Sequence, residues 1–415
     1  MRIAGRLCAT GEEVVVTVEG DRIGSVELRG GAGGAGAGSE PGGPEREPDL
    51  GGPDVWVSPG FIDLQLNGYG GCDFNRDFWS DDGRDPRESI SRIVAMAANA
   101  GTTQICPTIC TNSREAMTAA LRSLADARDA DPDLRRAIPA IHVEGPWIAS
   151  EDGPRGAHPL KHVRDPDWSE FEAFQDAAGG AIGLVTLAPE RDGALILIEQ
   201  LTDAGIVVGV GHTGASPTTI REAARAGGRL STHLGNGAHA VMARHPNYIW
   251  EQLANDDLLA SIIADGHHLP AAVVKCFARV KGPDRLILVS DAVSLGGRPP
   301  GIYDDGRHEV LPSGKVVLAG TPYLAGAGHL LDVCAANFLR FTRCGPAELA
   351  VAASVNPARL MGWPDRQIAA GCVADLTLFR LPTDPGLGGE PETSGDTGAP
   401  LEIVATIRSG RRVDG

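Results

Sequence analysis

The most constraining feature of this 415-residue chain is a pattern that recurs through its middle. A short apolar run ends in polar residues, and a helix-like stretch follows. The runs are FIDLQL (61–66), TTQIC (102–106), PAIHVE (139–144), IGLVTL (182–187), IVVGVG (206–211), LSTH (230–233), ASIIA (260–264) and LILVS (286–290). Helical periodicity lies between them at 86–99, 113–128, 193–204, 216–226 and 270–280. Continuous apolar runs of this length read as strands buried on both faces, and their alternation with helices reads as parallel βα units. Eight such units predict an α/β fold of the (β/α)8 TIM-barrel type over residues 58–360.

The ends of the chain differ from this body. Residues 1–28 alternate apolar and polar in the strand manner, as in EEVVVTVEGDRIGSVEL. Near the C-terminus, CVADLTLFRL and LEIVATIRSGRRV have the same character. Gly/Pro-rich stretches at 30–52 and 383–400 interrupt the two ends and read as flexible loops. The similarity of the ends predicts a small β-sandwich domain built from 1–57 and 361–415.

Bulk properties exclude several function classes. The net charge of −17 argues against bulk attraction to nucleic acid or an anionic membrane. There is no basic run, aromatic stacking platform or metal-knuckle spacing for nucleic acid. The glycines at 30–38 lack the following Gly-Lys-Ser/Thr of a phosphate-cradling loop. No run approaches the roughly 18 apolar residues of a membrane span, and the N-terminus lacks the apolar core of a signal peptide. The eight cysteines lack paired spacing and read as reduced core residues of a cytoplasmic protein.

The chemistry sits where the apolar runs end. Gln65 and Asn67 follow the first, Glu144 the third, His212 the fifth and His233 the sixth. Asp265 and His268 follow the seventh, and Asp291 the eighth. The C-terminal strand ends of a TIM barrel converge on one face, which holds the active site. One histidine at a strand end is more often a satisfied buried side chain than a ligand. Glu144, His212 and His233 together form a metal-binding set that leaves a fourth position for water. Asp291 just beyond a buried strand needs a partner, and its functional reading is a general base.

The motifs PGFIDLQLNGYGG (59–71), HVEGPW (142–147), TLAPE (186–190), GHT (211–213), STHLGN (231–236), IIADGHH (262–268) and LVSDA (288–292) resemble those of the amidohydrolase superfamily. Within it they resemble the N-acetylglucosamine-6-phosphate deacetylase family. NPARLMG (356–362) and GCVADLTLF (371–379) resemble that family's return into its β-domain. The resemblance runs over nearly the whole chain in motif order. It implies a cytoplasmic hydrolase of linear amides that converts N-acetylglucosamine-6-phosphate to glucosamine-6-phosphate and acetate. It makes Glu144, His212 and His233 metal ligands and Asp291 the catalytic aspartate. It has His158 hold the substrate amide. Asn236, Gly237, Arg244 and His268 fall at positions resembling those that bind the sugar phosphate, and the family suggests a homodimer.

Many amidohydrolases place His-x-His at the first strand, where it holds a second metal. Gln65 and Asn67 replace it here, and neutral amides are poorer ligands than imidazole. One divalent ion is therefore expected. Zinc is the first choice, with iron, manganese and cobalt as alternatives. The runs GNGAHAVMARHPNYIW and LAGTPYLAGAGHLLD depart from the family around the substrate. The alternative function is therefore deacetylation of a different N-acyl amino sugar. His239, His245, His308 and His329 read as surface or packing residues. A catalytically dead scaffold would be expected to lose ligands or the aspartate, and all four residues are present.

Overall fold

Eight parallel strands lie side by side in chain order in the computed structural model, which describes residues 1–29, 47–75, 85–304, 306–382 and 398–414. They are Phe61–Leu66, Thr102–Cys110, Ile141–Glu144, Ile182–Leu187, Val207–Val210, Gly228–Ser231, Leu259–Ile262 and Leu286–Leu288. The first and last close the ring. The Asp291 amide donates to Gln65 O at 2.8 Å, and the Asn67 amide donates to Ala292 O at 2.9 Å. This is a (β/α)8 barrel, as the alternating runs predict. The second strand extends to Cys110, beyond the expected end at 106, because Pro107 does not interrupt its pairing with the third strand.

The helices form where capping and periodicity agree. Asp85 caps Pro86–Asn99, whose proline occupies the first turn where no amide partner is needed. Ser113 caps Arg114–Ala130 by accepting from the Ala116 amide. Met117, Leu121 and Leu124 then fall on one buried stripe against the barrel. Trp147 and Phe174 fill the same core, with ring centroids 6.2 Å apart.

The terminal segments join in one seven-stranded sheet. It contains Arg2–Leu7, Glu13–Glu19, Arg22–Leu28, Leu50–Pro59, Leu376–Arg380, Glu402–Arg408 and Arg411–Arg412. The sheet curls back on itself: Arg22, in one edge strand, bridges Val373 just before the Leu376–Arg380 strand, and the Ala374 amide donates to Asp21 O. The curled sheet therefore encloses its own core, which includes Ile3, Val16, Ile23, Val57, Leu376 and Ile407. Residues 50–52, expected to be loop, begin the fourth of these strands. The rest of the two Gly/Pro-rich stretches lies largely outside the described residues.

A three-stranded antiparallel sheet, Gly301–Tyr303, His308–Val310 and Val316–Leu318, follows the last barrel strand. Its three-residue strands are too short to stand out in the sequence. All eight cysteines are free thiols. The core reading holds for Cys8, Cys72, Cys106 and Cys334, whereas Cys276 is exposed on the polar face of its helix. Among the described residues, no helix is long and apolar enough to cross a membrane.

Candidate metal centre

Three side chains from three different strand ends meet at the C-terminal mouth of the barrel. Glu144 is the last residue of the third strand, and His212 and His233 each lie two residues beyond the fifth and sixth. One ligand atom from each lies within 4.8 Å of the others. His233 Nε2 is 2.9 Å from Glu144 Oε1 and 3.1 Å from His212 Nε2, and His212 Nε2 is 3.3 Å from Glu144 Oε1. Tetrahedral ligands about 2.0–2.1 Å from a small divalent ion lie about 3.3–3.4 Å apart. All three residues are buried.

The protonation pattern suits a cation. His212 Nδ1 faces the Pro154 carbonyl at 2.9 Å, and a carbonyl can only accept. The proton therefore sits on Nδ1, and the bare Nε2 faces the cluster, the arrangement typical of a metal-ligating histidine. Burial alone would push the Glu144 carboxyl up, but hydrogen bonds and positive charge from protonated His212 and His233 rings would hold it well below its usual range, a role a bound cation takes over when their Nε2 atoms are bare. An anionic oxygen and two imidazole nitrogens buried close together form a donor set that a divalent ion satisfies.

Backbone strain accompanies these positions. His212, His233 and Asp291 have φ of 49°, 33° and 48°. Non-glycine residues in this left-handed region cost on the order of 1–3 kcal/mol each and persist where surrounding structure demands them. Here each one turns the chain sharply as it leaves a barrel strand.

A second layer holds the cluster in place. Gln65 Nε2 donates to Glu144 Oε1 at 2.7 Å, and Asn67 Nδ2 donates to Asp291 Oδ1 at 2.7 Å. The amides that replace imidazoles at the first strand are thus both engaged as donors. Burial, reinforced by the Glu144 charge, raises the Asp291 carboxyl to about 6 despite the opposing pull of His233, His268 and Asn67. Below it, burial raises Asp63 to about 7, although Ser290 and the Gln65 amide donate to it.

His158 also reaches the cluster, with Nε2 3.2 Å from His212 Nε2 and Nδ1 2.7 Å from the Thr111 hydroxyl. Burial, then the His212 charge, lowers it to about 3, so it is a neutral imidazole. His268 Nδ1 lies 2.8 Å from Asp265 Oδ2, and its charge acts on Asp291. Gly237 passes so close to His212 that a Cβ there would lie 2.7 Å from Nδ1. Asn236 Nδ2 donates to the His233 carbonyl at 3.2 Å. Arg244 is exposed on the loop after the sixth strand.

Thr111, Cys110 and Pro154 escaped the sequence reading. Cys110 Sγ lies 3.0 Å from Asn67 Oδ1 and 3.4 Å from Glu144 Oε2, joining the two layers. Thr111 and Cys110 stand at the end of the second strand, so the strand-end rule would have found them had that strand been extended to 110. Nothing in the sequence marks the Pro154 carbonyl. Of the four additional histidines, His239 bonds Tyr248, His308 bonds Asp304 and His329 stacks on His267, while His245 is exposed.

The model of the Amidohydrolase family matches residues 56–413. N-acetylglucosamine-6-phosphate deacetylase of Bos taurus is 34% identical over 337 residues, covering 78% of this chain and 79% of that protein. The Bacillus subtilis enzyme of the same name is 31% identical, covering 78% and 81%. A solved structure of a variant N-acetyl-D-glucosamine-6-phosphate deacetylase from Mycobacterium smegmatis, in complex with N-acetyl-D-glucosamine-6-phosphate, is also similar. It superposes with a TM-score of 0.81 at 29% identity, covering 100% of this chain and 99% of that one.

Proposed function

The chain belongs to the amidohydrolase family, and from that premise we propose that it hydrolyses the N-acetyl amide of N-acetylglucosamine-6-phosphate to glucosamine-6-phosphate and acetate. The observation that carries this reading is the convergence of Glu144, His212 and His233 beside Asp291 at the barrel mouth. The named relatives and the complexed M. smegmatis structure support the substrate.

Glu144, His212 and His233 would hold one divalent ion, zinc by the nature of the donors. When bound, it supplies a water of lowered pKa and polarises the amide carbonyl. Asp291 accepts the proton of the attacking water, and Asn67 keeps one of its oxygens in place. His158 donates to the amide oxygen as negative charge develops on it. In the tautomer this role requires, His158 carries its proton on Nε2, facing the cluster, and its Nδ1 accepts from the Thr111 hydroxyl 2.7 Å away. Asp291 then returns its proton to the amine as the C–N bond breaks. Gln65 orients Glu144 and adds no second ion.

Arg244 and His268 bind the phosphate, Arg through its planar fork, with Asn236 and the Gly237 backbone beside the sugar. Asp265 holds His268 in position. We assign residues 58–360 to the catalytic barrel and 1–57 with 361–415 to the β-domain. The protein works as a cytoplasmic homodimer. The test is acetate release from N-acetylglucosamine-6-phosphate and N-acetylglucosamine by zinc-loaded and chelated protein. Chelator-sensitive release from the phosphate alone is expected. Equal rates on both sugars would overturn the substrate and leave the amidohydrolase chemistry standing.

A further inference from the structure

At the opposite end of the barrel from the metal cluster, two adjoining cavities of about 250 and 530 Å³ lie between the strand starts and the terminal sheet. Pro59, Gln104 and Pro139, at the beginnings of the first three barrel strands, line the larger one. So do Arg22, Arg135, Arg136, Arg366 and Arg408, against only Asp365 and Asp375. This wall has an excess of three positive charges in a chain whose net charge is −17. The two cavities share Arg136, Arg408 and Ser409.

The basic wall is only partly neutralised: Arg136 pairs with the exposed Asp133, which lines the smaller cavity with Asp21, and Arg366 pairs with Asp375, whereas Arg408 has no ion-pair partner among the described residues. Asp375 is already engaged, accepting from Arg366 Nη1 at 2.7 Å with one oxygen and from the Ser409 amide at 2.7 Å with the other. Arg366 Nε is buried without a partner. Arg408 is only 8% exposed, and its Nε donates to the Thr103 carbonyl at 2.6 Å. Its remaining surface lines both cavities. A buried guanidinium with unused donors is costly unless an anion meets it. Ser409 lines both cavities as the first residue of the two-residue turn Ser409–Gly410 that joins the last two strands, where φ of 47° and 75° is ordinary hairpin geometry.

We propose that this cavity is a binding site for a phosphomonoester-sized dianion, contacted by Arg408, Arg136 and the Ser409 hydroxyl. The guanidinium fork matches phosphate oxygens, and the larger cavity is of the size small ligands occupy. Arg136 comes from the barrel side and Arg408 from the terminal sheet, so the bound anion ties the two together and stabilises the folded chain. This inference does not depend on the reading of the metal centre.

The test is calorimetric titration of the intact protein with inorganic phosphate and with glycerol-3-phosphate, alongside the shift in Tm. Arg244→Ala removes the phosphate contact proposed at the other face. A binding component that survives in Arg244→Ala, and weakens at least tenfold in Arg136→Ala/Ser409→Gly, is expected. That double variant leaves acetate release unchanged. Both substitutions are mild, since Arg136 is paired only with an exposed Asp133 and glycine readily adopts the positive φ at 409. Arg408→Lys, which keeps the charge and loses the fork, is expected to weaken binding as well. Tighter binding of the ester assigns the site to an organic phosphate, and equal binding to the free ion. Loss of all binding in Arg244→Ala, or unchanged binding in Arg136→Ala/Ser409→Gly, would overturn the proposal.

Discussion

Asn67 and Asp291, from the first and last strands of the barrel, share a hydrogen bond of 2.7 Å exactly where the ring of strands closes. A barrel that failed to close would therefore lose the position of its proposed general base along with its shape. Asp291→Asn is expected to keep the metal and lower kcat by about 10²–10⁴-fold, the range of general acid–base contributions. Asn67→Leu, which frees Asp291 from its donor, should lower kcat by a smaller factor with KM little changed. Steady-state kinetics with metal analysis on the same samples checks both. Near-normal turnover in Asp291→Asn would exclude its role as proton carrier.

The donor set at the barrel mouth predicts metal stoichiometry. Purified protein should carry one divalent ion per chain, and chelation should abolish activity. Glu144→Gln should reduce the metal content, because it removes the anionic ligand. Replacing Gln65 and Asn67 together by histidine should raise the stoichiometry toward two. Elemental analysis of dialysed protein reads each of these directly.

Gly237→Ala tests how closely the loop after the sixth strand supports the cluster. The added Cβ would lie 2.7 Å from His212 Nδ1, on a backbone with φ of 54°. The expected result is displacement of His212 and loss of metal affinity, together with a fall in kcat. A rise in KM alone, with metal content unchanged, would confine Gly237 to substrate contact.

Asp265 should leave a signature in acid stability. Burial opposes its ionisation, but the His268 charge and hydrogen bonds from His268 and the 267–268 backbone hold its carboxyl down at about 2. A carboxyl lowered on folding contributes stability that is complete above its unfolded value, about 3.9. That contribution fades as the pH falls from there toward 2. Asp265→Asn should therefore be destabilised near neutral pH and lose less stability than the parent between pH 4 and 2. Denaturant midpoints measured across that range decide it. Parallel curves would mean that Asp265 titrates normally.

Leu121 probes the helical layer. It is fully buried on the stripe that Arg114–Ala130 turns toward the barrel. Leu121→Ala should cost about 2–5 kcal/mol, as expected for a core cavity, and leave kcat in the folded fraction unchanged. Thermal unfolding with activity measured below the transition separates the two effects.

The sequence by itself determined the order and kind of the elements. Short apolar runs such as FIDLQL and LILVS, alternating with helix-like stretches, read as buried parallel strands, and helices fell where caps such as Asp85 and Ser113 precede an apolar stripe. It also marked Glu144, His212, His233 and Asp291, because a polar group at the end of a buried strand needs a partner. Only the tertiary structure decided who those partners are. The Pro154 carbonyl sets the tautomer of His212, the Thr111 hydroxyl meets His158 Nδ1, and Cys110 sits between Asn67 and Glu144. These pairings join residues far apart in the chain, and their side chains carry no periodic signal. The same holds for the basic cavity, whose arginines come from 22, 135, 136, 366 and 408 and become one site only when the terminal sheet curls against the barrel. Local patterns follow from near-neighbour hydrophobic spacing, whereas convergence depends on closure of the ring and of the sheet, which no short stretch of sequence encodes.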